Sequence, residues 1–203
     1  MHLADGVLSL PVVTSGFIAA AGLVAWSMRQ VDEDEVPRIA VFTAAFFVAS
    51  LIHFKLPGTS VHLTFHGLLG VVLGRRAVLA IVVGLFLQAA LLAHGGMSVL
   101  GVNTCLFGFP ALLAAYSYSK ALNWFPNGRA LIGGLCAALA VLLSGVLMMA
   151  ALLLSRQEDF GALAQFALIA HLPIALLEGV ITGLTVSFLH RVQPRLLEGG
   201  SST

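Results

Sequence analysis

The chain has 203 residues, of which 59% are hydrophobic and only 9% carry a charge, and its mean hydropathy is +1.01. Soluble domains carry about 25% charged residues, so this composition does not fit a soluble enzyme and indicates an integral membrane protein. The net charge of +1 offers no basic surface for nucleic acid. We therefore expect a single membrane domain over residues 1–203.

Seven apolar runs follow one another along the chain, each bounded by charged or turn-forming residues. They cover 10–28, 39–54, 60–74, 77–94, 105–122, 130–154 and 165–190. Because lipid offers no hydrogen bonds to the backbone, we predict an all-α bundle of about seven transmembrane helices. The third run is short and follows the turn-forming stretch 55–60, so we expect its start to be partly unwound and surrounded by protein.

The basic residues predict the orientation of this bundle. With the amino end outside, the cytoplasmic loops and the tail 191–203 hold eight of the ten basic residues, and Lys55 and Arg156 face out. This asymmetry favours an N-out, C-in chain. No basic residue precedes Arg29, so a cleaved signal peptide is not expected. Three polar or glycine-rich segments then meet at the outer face, namely residues 1–9, 57–66 and 95–103.

The first two residues, Met1 and His2, are a candidate metal chelate. A free amino-terminal Met-His offers a divalent ion the α-amine, the His2 amide nitrogen after deprotonation, and the His2 imidazole. These nitrogens can lie in one plane, and an imidazole from elsewhere would complete a planar set. Such ligation points to Ni(II) or Cu(II), with Co(II) as a guest, rather than to tetrahedral Zn(II). The outer segments lack the clustered oxygens that Mg²⁺ or Ca²⁺ requires.

His62 and His66 are candidates for the additional imidazole. They stand four residues apart, so on a helix they would share one face; either both bind the ion, or one binds and the other packs beside it. Ligating imidazoles usually donate their second nitrogen to a neighbouring group, and Ser60, Thr64 and Asn103 are candidate partners. The remaining histidines, His53, His94, His171 and His190, are interpreted as structural or supporting residues.

These residues resemble the CbiM/NikM family, the substrate-binding (S) components of energy-coupling-factor transporters for cobalt and nickel. The resemblance is carried by the stretches Met1–Ser9, Gly58–Leu63, Gly95–Asn103, Glu178–Gly183 and Arg191–Arg195. It implies a seven-span bundle whose loop 1–9 folds into the outer pocket. It also implies that the ion is held by the amine of Met1, the amide and imidazole of His2, and His62, while Asn103 supports the loop.

The chain departs from this family at two places. Arg75 and Arg76 stand where many members carry Gly-Pro-Trp, which leaves the short inner turn open, and His66 is not a usual family residue. Cobalt and nickel members share the same motifs, so the resemblance does not choose the ion.

The chain contains no Gly-x4-Gly-Lys-Ser/Thr loop for ATP, so uphill import would need partners. The resemblance implies a pair of cytoplasmic ATPases, a transmembrane coupling subunit and a small accessory membrane subunit, in the cytoplasmic (inner) membrane of a bacterium or archaeon. The chain itself is then a transporter subunit, not an enzyme, and needs no cofactor besides the transported Ni(II) or Co(II).

Two alternatives stay open at this point. One is a self-sufficient membrane metal transporter. The other is a membrane redox protein in which intramembrane histidines such as His53, His94 and His171 bind haem. Glu178, a carboxylate within the last span, is a functional candidate by its position, but we expect it to contact another helix or subunit.

Overall fold

A computed structural model describes residues 2–56, 59–155 and 161–198. Eight α-helices and one two-stranded antiparallel hairpin are found in these ranges. The helices are α1 (Leu10–Met28), α2 (Val36–Ala49), α3 (His66–Leu73), α4 (Ala77–Leu92), α5 (Leu100–Trp124), α6 (Arg129–Ser155), α7 (Gly161–Val192) and the short α8 (Arg195–Glu198), and the strands are β1 (His53–Leu56) and β2 (Thr59–His62).

The predicted all-α bundle is confirmed, with α1 to α7 at the seven predicted runs. Among the residues that the structure describes, five helical stretches are long and apolar enough to cross a membrane, and they cover Leu10–Met28, His66–Leu92, Leu100–Trp124, Pro126–Ser155 and His171–Val192. The helix α2 has 14 residues, so it is about 21 Å long and shorter than a full span.

The start of the third run is not helical, as expected from the turn-forming stretch before it. The helix α3 starts at His66, and residues 59–62 form β2 instead. Between them, Leu63 and Thr64 are non-helical yet buried, as expected for irregular backbone that protein surrounds. Since α3 has only eight residues, it is about 12 Å long and begins inside the bundle. Its first residues are thus buried in the interior of the bundle.

The chain alternates between two ends of the bundle. We call the end that carries His2–Ser9 the loop end, and the other the opposite end. At the opposite end, Arg76 is buried and closes the turn between α3 and α4. It donates to the carbonyl oxygen of Ser27 in the last turn of α1, to those of Arg29 and Gln30 just after α1, and to both carboxylate oxygens of Glu35. This explains the arginine at this unusual turn: it satisfies carbonyls at the end of α1, which the helix itself leaves unpaired.

Two small-residue contacts bring α6 and α7 close together. A Cβ placed on Gly134 would lie 2.6 Å from the carbonyl oxygen of Gly179, and one placed on Gly179 would lie 3.0 Å from that of Gly134. Only glycine permits this approach, which is typical of tightly packed membrane helices. The approach carries the neighbouring residue of α7, Glu178, into the bundle interior.

Candidate metal centre

Asn103 attaches the amino-terminal segment to the bundle. Its Oδ1 accepts a hydrogen bond of 3.0 Å from the Leu3 N–H, and its Nδ2 donates one of 3.0 Å to the Leu3 carbonyl. Both residues are buried, so these bonds are shielded from competing water. Because Asn103 lies in the first turn of α5, it holds the backbone next to His2 directly over the bundle interior.

A second attachment lies two residues further along the loop. Asp5 Oδ1 accepts a hydrogen bond of 2.8 Å from the Ser98 N–H and another from the Ser98 hydroxyl. These bonds lower the pKa of Asp5 below its ordinary value, since they stabilise the charged carboxylate. A Cβ on Gly96 would overlap the Asp5 carboxylate. The glycine-rich stretch before α5 therefore makes room for the loop.

The two attachments bring His2 against His62. Their rings stack at 4.7 Å between centroids, with 26° between planes, and Nδ1 of His2 lies 3.2 Å from Nε2 of His62. Nδ1 of His62 lies 3.0 Å from the Leu63 carbonyl oxygen. A carbonyl can only accept, so Nδ1 carries the proton and the neutral ring presents the lone pair of Nε2 to His2.

The surroundings of His2 keep its imidazole uncharged. Burial, followed by the charges of neighbouring groups that include His62 and His94, holds the pKa of His2 well below its ordinary value. Nε2 of His2 is shielded from solvent and has no hydrogen-bond partner among the residues that the structure describes. A neutral imidazole is the form that binds metal.

Two further rings enclose the pair. Phe107 meets His2 edge-on at 5.2 Å, and His94 stacks on His62 at 6.2 Å with 9° between planes. The sequence analysis did not place Phe107 at the site and gave His94 only a supporting role. One signal was available, because Phe107 is four residues after Asn103 and must share its face of α5.

The four-residue spacing suggested that His62 and His66 share one face of a helix, but the structure does not place them so. His62 ends β2, whereas His66 begins α3. The Thr64 hydroxyl lies 2.8 Å from Nδ1 of His66 and 2.9 Å from Oε1 of Glu178, and Phe107 contacts the His66 ring at 5.1 Å. His66 and Thr64 therefore belong to a second polar cluster, which surrounds Glu178 and is distinct from the pair of His2 and His62.

Two predicted residues cannot be placed. Met1 and the side chain of Ser60 lie outside what the structure describes. Within the described ranges, three or more His, Cys, Asp or Glu side chains are nowhere grouped so as to hold a metal ion. A metal centre here would need nitrogens of the backbone as well as those of His2 and His62.

Comparison with known proteins gives one consistent result. Residues 2–196 match the family model described as "Cobalt uptake substrate-specific transmembrane region". A putative metal transport protein of Haemophilus influenzae is 32% identical over 199 residues, which are 97% of each chain. A putative fused nickel transport protein NikMN of Archaeoglobus fulgidus is 26% identical over 205 residues, 98% of this chain and 68% of that one. The crystal structure of a transition metal transporter shares the fold, with a TM-score of 0.84 at 24% identity over 98% of this chain and 96% of that chain.

Proposed function

Since the chain belongs to the CbiM family of cobalt-uptake transmembrane proteins, we propose that it captures Co(II) or Ni(II) with a planar set of nitrogens from its amino end and His62. It is a membrane component of cobalt or nickel transport. The proposal assigns the ligands: the amine of Met1, the amide nitrogen and Nδ1 of His2, and Nε2 of His62.

The observation that carries this proposal is the approach of His2 to His62. A metal–imidazole bond is about 2.0–2.1 Å long, so neighbouring nitrogens on one ion are about 3 Å apart. The observed distance between Nδ1 of His2 and Nε2 of His62 is 3.2 Å. One ion can therefore replace the proton that these two nitrogens share.

The backbone part of the chelate supplies the planarity. The amine, the amide and Nδ1 of an amino-terminal Met-His form fused rings around one ion, which leaves the fourth position to His62. Planar nitrogen ligation favours Ni(II) and also accommodates Co(II), and it disfavours Zn(II) and the hard cations. Because binding displaces protons from these nitrogens, affinity falls as pH falls.

The second part of the proposal concerns energy and partners. We infer an S component that faces outward in the cytoplasmic membrane of a bacterium or archaeon, and that works with an ATPase pair, a coupling subunit and an accessory membrane subunit. The fused NikMN relative, of which this chain covers 68%, supports a second transport segment beside it. In liposomes, the chain alone should import little Ni(II) down a gradient, and ATP with the partner subunits should restore import. Full import by the lone chain would instead favour a self-sufficient transporter.

Modification of the amino end tests the ligand set without changing a side chain. Three residues added before Met1 would displace the amine from the site, so we expect Ni(II) and Co(II) affinity to fall about a thousand-fold, or ~4 kcal/mol. The same three residues added after Thr203 are the control. Titration of purified protein, with mass spectrometry confirming an unblocked Met1 in the parent chain, measures the effect. Equal affinity of both extended chains would contradict the chelate.

A further inference from the structure

Glu178, in the middle of α7, accepts hydrogen bonds from the two residues just before α3. The carboxylate is fully buried. Oε1 accepts hydrogen bonds from the Thr64 N–H and from the Thr64 hydroxyl, the latter at 2.9 Å, and Oε2 accepts one of 3.0 Å from the Phe65 N–H. Both oxygens therefore act as acceptors for the two residues that precede the helix.

This role is needed because α3 starts where water and lipid headgroups cannot reach it. The first N–H groups of a helix have no partner within the helix, and inside a membrane protein they need one from another element. Phe65 is at the N-cap position with φ of +50°, and its apolar side chain cannot cap. Glu178 supplies an acceptor for one of these groups, the Phe65 N–H, and for the Thr64 N–H that precedes it, from a helix more than a hundred residues away. A carboxylate is also favoured at a helix start.

The same contact reaches the proposed metal ligand. Glu178 fixes the backbone of Thr64 and Phe65, Leu63 precedes them, and the Leu63 carbonyl accepts the hydrogen bond from Nδ1 of His62. That bond determines which nitrogen of His62 is protonated and where Nε2 points. The path from Glu178 to Nε2 thus runs through three consecutive residues without regular helix.

We propose that Glu178 is a positioning residue for metal capture: from α7, it fixes the segment Leu63–Phe65 and thereby aims Nε2 of His62 at Nδ1 of His2. The proposal rests on the proposed function, because it concerns one of the ligands assigned there. It also replaces our expectation of a simple helix contact for this carboxylate.

Glu178→Gln tests the proposal, and Thr182→Val is its matched control. Gln keeps the size of the side chain but places an amide group against N–H donors. Thr182 is also fully buried, one turn further along α7, and its hydroxyl has no hydrogen-bond partner within the described part of the chain. Loss of a group that orients a metal ligand typically costs 10–100-fold in affinity. We expect Glu178→Gln to weaken Ni(II) binding by about that factor, and Thr182→Val to bind like the parent.

A comparison with His62→Ala separates positioning from general destabilisation. If Glu178 acts through His62, Glu178→Gln has almost no further effect on Ni(II) affinity in the His62→Ala background. The visible absorption bands of bound Ni(II) in Glu178→Gln should also move toward those of His62→Ala. An equal loss of affinity with and without His62, or an unchanged spectrum, would overturn the proposal.

Thr64→Val provides a second route in case Glu178→Gln does not fold. It removes the hydroxyl bond to Oε1 and leaves both backbone N–H bonds, so we expect a smaller loss of affinity that again disappears in the His62→Ala background. A loss that persists there argues against positioning. If His62→Ala alone leaves Ni(II) affinity unchanged, the ligand set itself is wrong, so the two failures are distinguishable.

Discussion

The two ends of the bundle both bury strongly polar side chains, but they treat them differently. At the opposite end, the three nitrogens of Arg76 donate to three carbonyls and to Glu35. At the loop end, the two imidazoles of His2 and His62 face each other, and Nε2 of His2 has no hydrogen-bond partner among the described residues. One end uses its polar groups to hold helices together, whereas we propose that the polar groups of the other end bind an ion.

This difference follows from the kind of side chain at each end. Arginine has five donors and stays charged, so a buried arginine must be surrounded by acceptors, and it then stabilises the fold. A neutral imidazole needs less compensation when buried and can offer a lone pair. Substitutions at the loop end should therefore change ion affinity with little effect on stability, and those at the opposite end should do the reverse.

Among the substitutions at the loop end, His62→Ala is expected to have the largest effect on Ni(II) affinity. It removes the one proposed ligand that comes from outside the amino-terminal segment, so we expect Ni(II) affinity to fall about 100-fold, or ~2.7 kcal/mol. The control is His190→Ala, an exposed histidine of α7 at the opposite end. Isothermal titration of both variants measures the difference, and equal affinities would show that His62 is not a ligand.

Asn103→Ala should have the next largest effect. It removes both hydrogen bonds to the Leu3 backbone, so the amino-terminal segment must be ordered on binding, and we expect about 10-fold weaker Ni(II) binding. Asn103→Asp retains the acceptor for the Leu3 N–H and loses the donor to its carbonyl. Its affinity should fall between those of the parent and Asn103→Ala. The opposite order would contradict a positioning role for this amide.

A smaller effect is expected from Gly95→Ala. Gly95 has φ of +77°, and a Cβ there would lie 3.2 Å from Cβ of His2 and 3.3 Å from Nδ2 of Asn103. The strained backbone should cost about 1 kcal/mol, felt mainly as a few-fold loss of Ni(II) affinity. Gly22→Ala, where a Cβ would meet nothing within 4 Å, is the matched control. A stronger loss in Gly22→Ala than in Gly95→Ala would show that the loop is not crowded.

Glu35→Gln should leave Ni(II) affinity unchanged and lower stability instead. The hydrogen bonds from Arg76 hold the pKa of Glu35 below its ordinary value. Because the carboxylate is partly exposed, we expect a loss of about 1 kcal/mol, or about 2–4 °C in the thermal midpoint. The pKa of Glu35 is lower in the folded state than in the unfolded state. The stabilisation by the ion pair is therefore fully present above the unfolded-state pKa and is lost as the pH falls through the folded-state pKa. The difference between parent and variant should therefore shrink in acid, and a constant difference would contradict the ion pair.

Hydropathy predicted most of the fold because the length of an apolar run is a local property. The predicted run 10–28 matches α1 (Leu10–Met28), and 130–154 differs from α6 (Arg129–Ser155) by one residue at each end. The same measure failed at the third run. Leu63 and Phe65 are as apolar as helical residues, so hydropathy alone does not show that the helix starts only at His66. The turn-forming stretch 55–60 was the local signal of a partly unwound start. The acceptor that permits this, Glu178, is 114 residues away from Thr64.

The site was predictable to a similar extent. The count of basic residues brought residues 1–9, 57–66 and 95–103 to one end, and His2, His62 and Asn103 do lie together in the structure. The spacing of His62 and His66 suggested a shared helical face, which was wrong because the chain changes from strand to helix between them. His94 was predicted only as a structural or supporting residue. Phe107 was not predicted at the site, although its spacing of four residues from Asn103 puts both on one face of α5.

The contact between Asn103 and Leu3 also fixes a register. An amide side chain that bonds both the N–H and the C=O of one residue acts as a neighbouring β-strand would. In an extended segment, successive side chains point to opposite sides, so a shift of one residue would turn His2 away from His62. One residue inserted between His2 and Leu3 should consequently weaken Ni(II) binding more than a change of the Leu3 side chain to another apolar group. The spacing of His2 from the anchored residue, more than the identity of that residue, determines whether His2 faces His62.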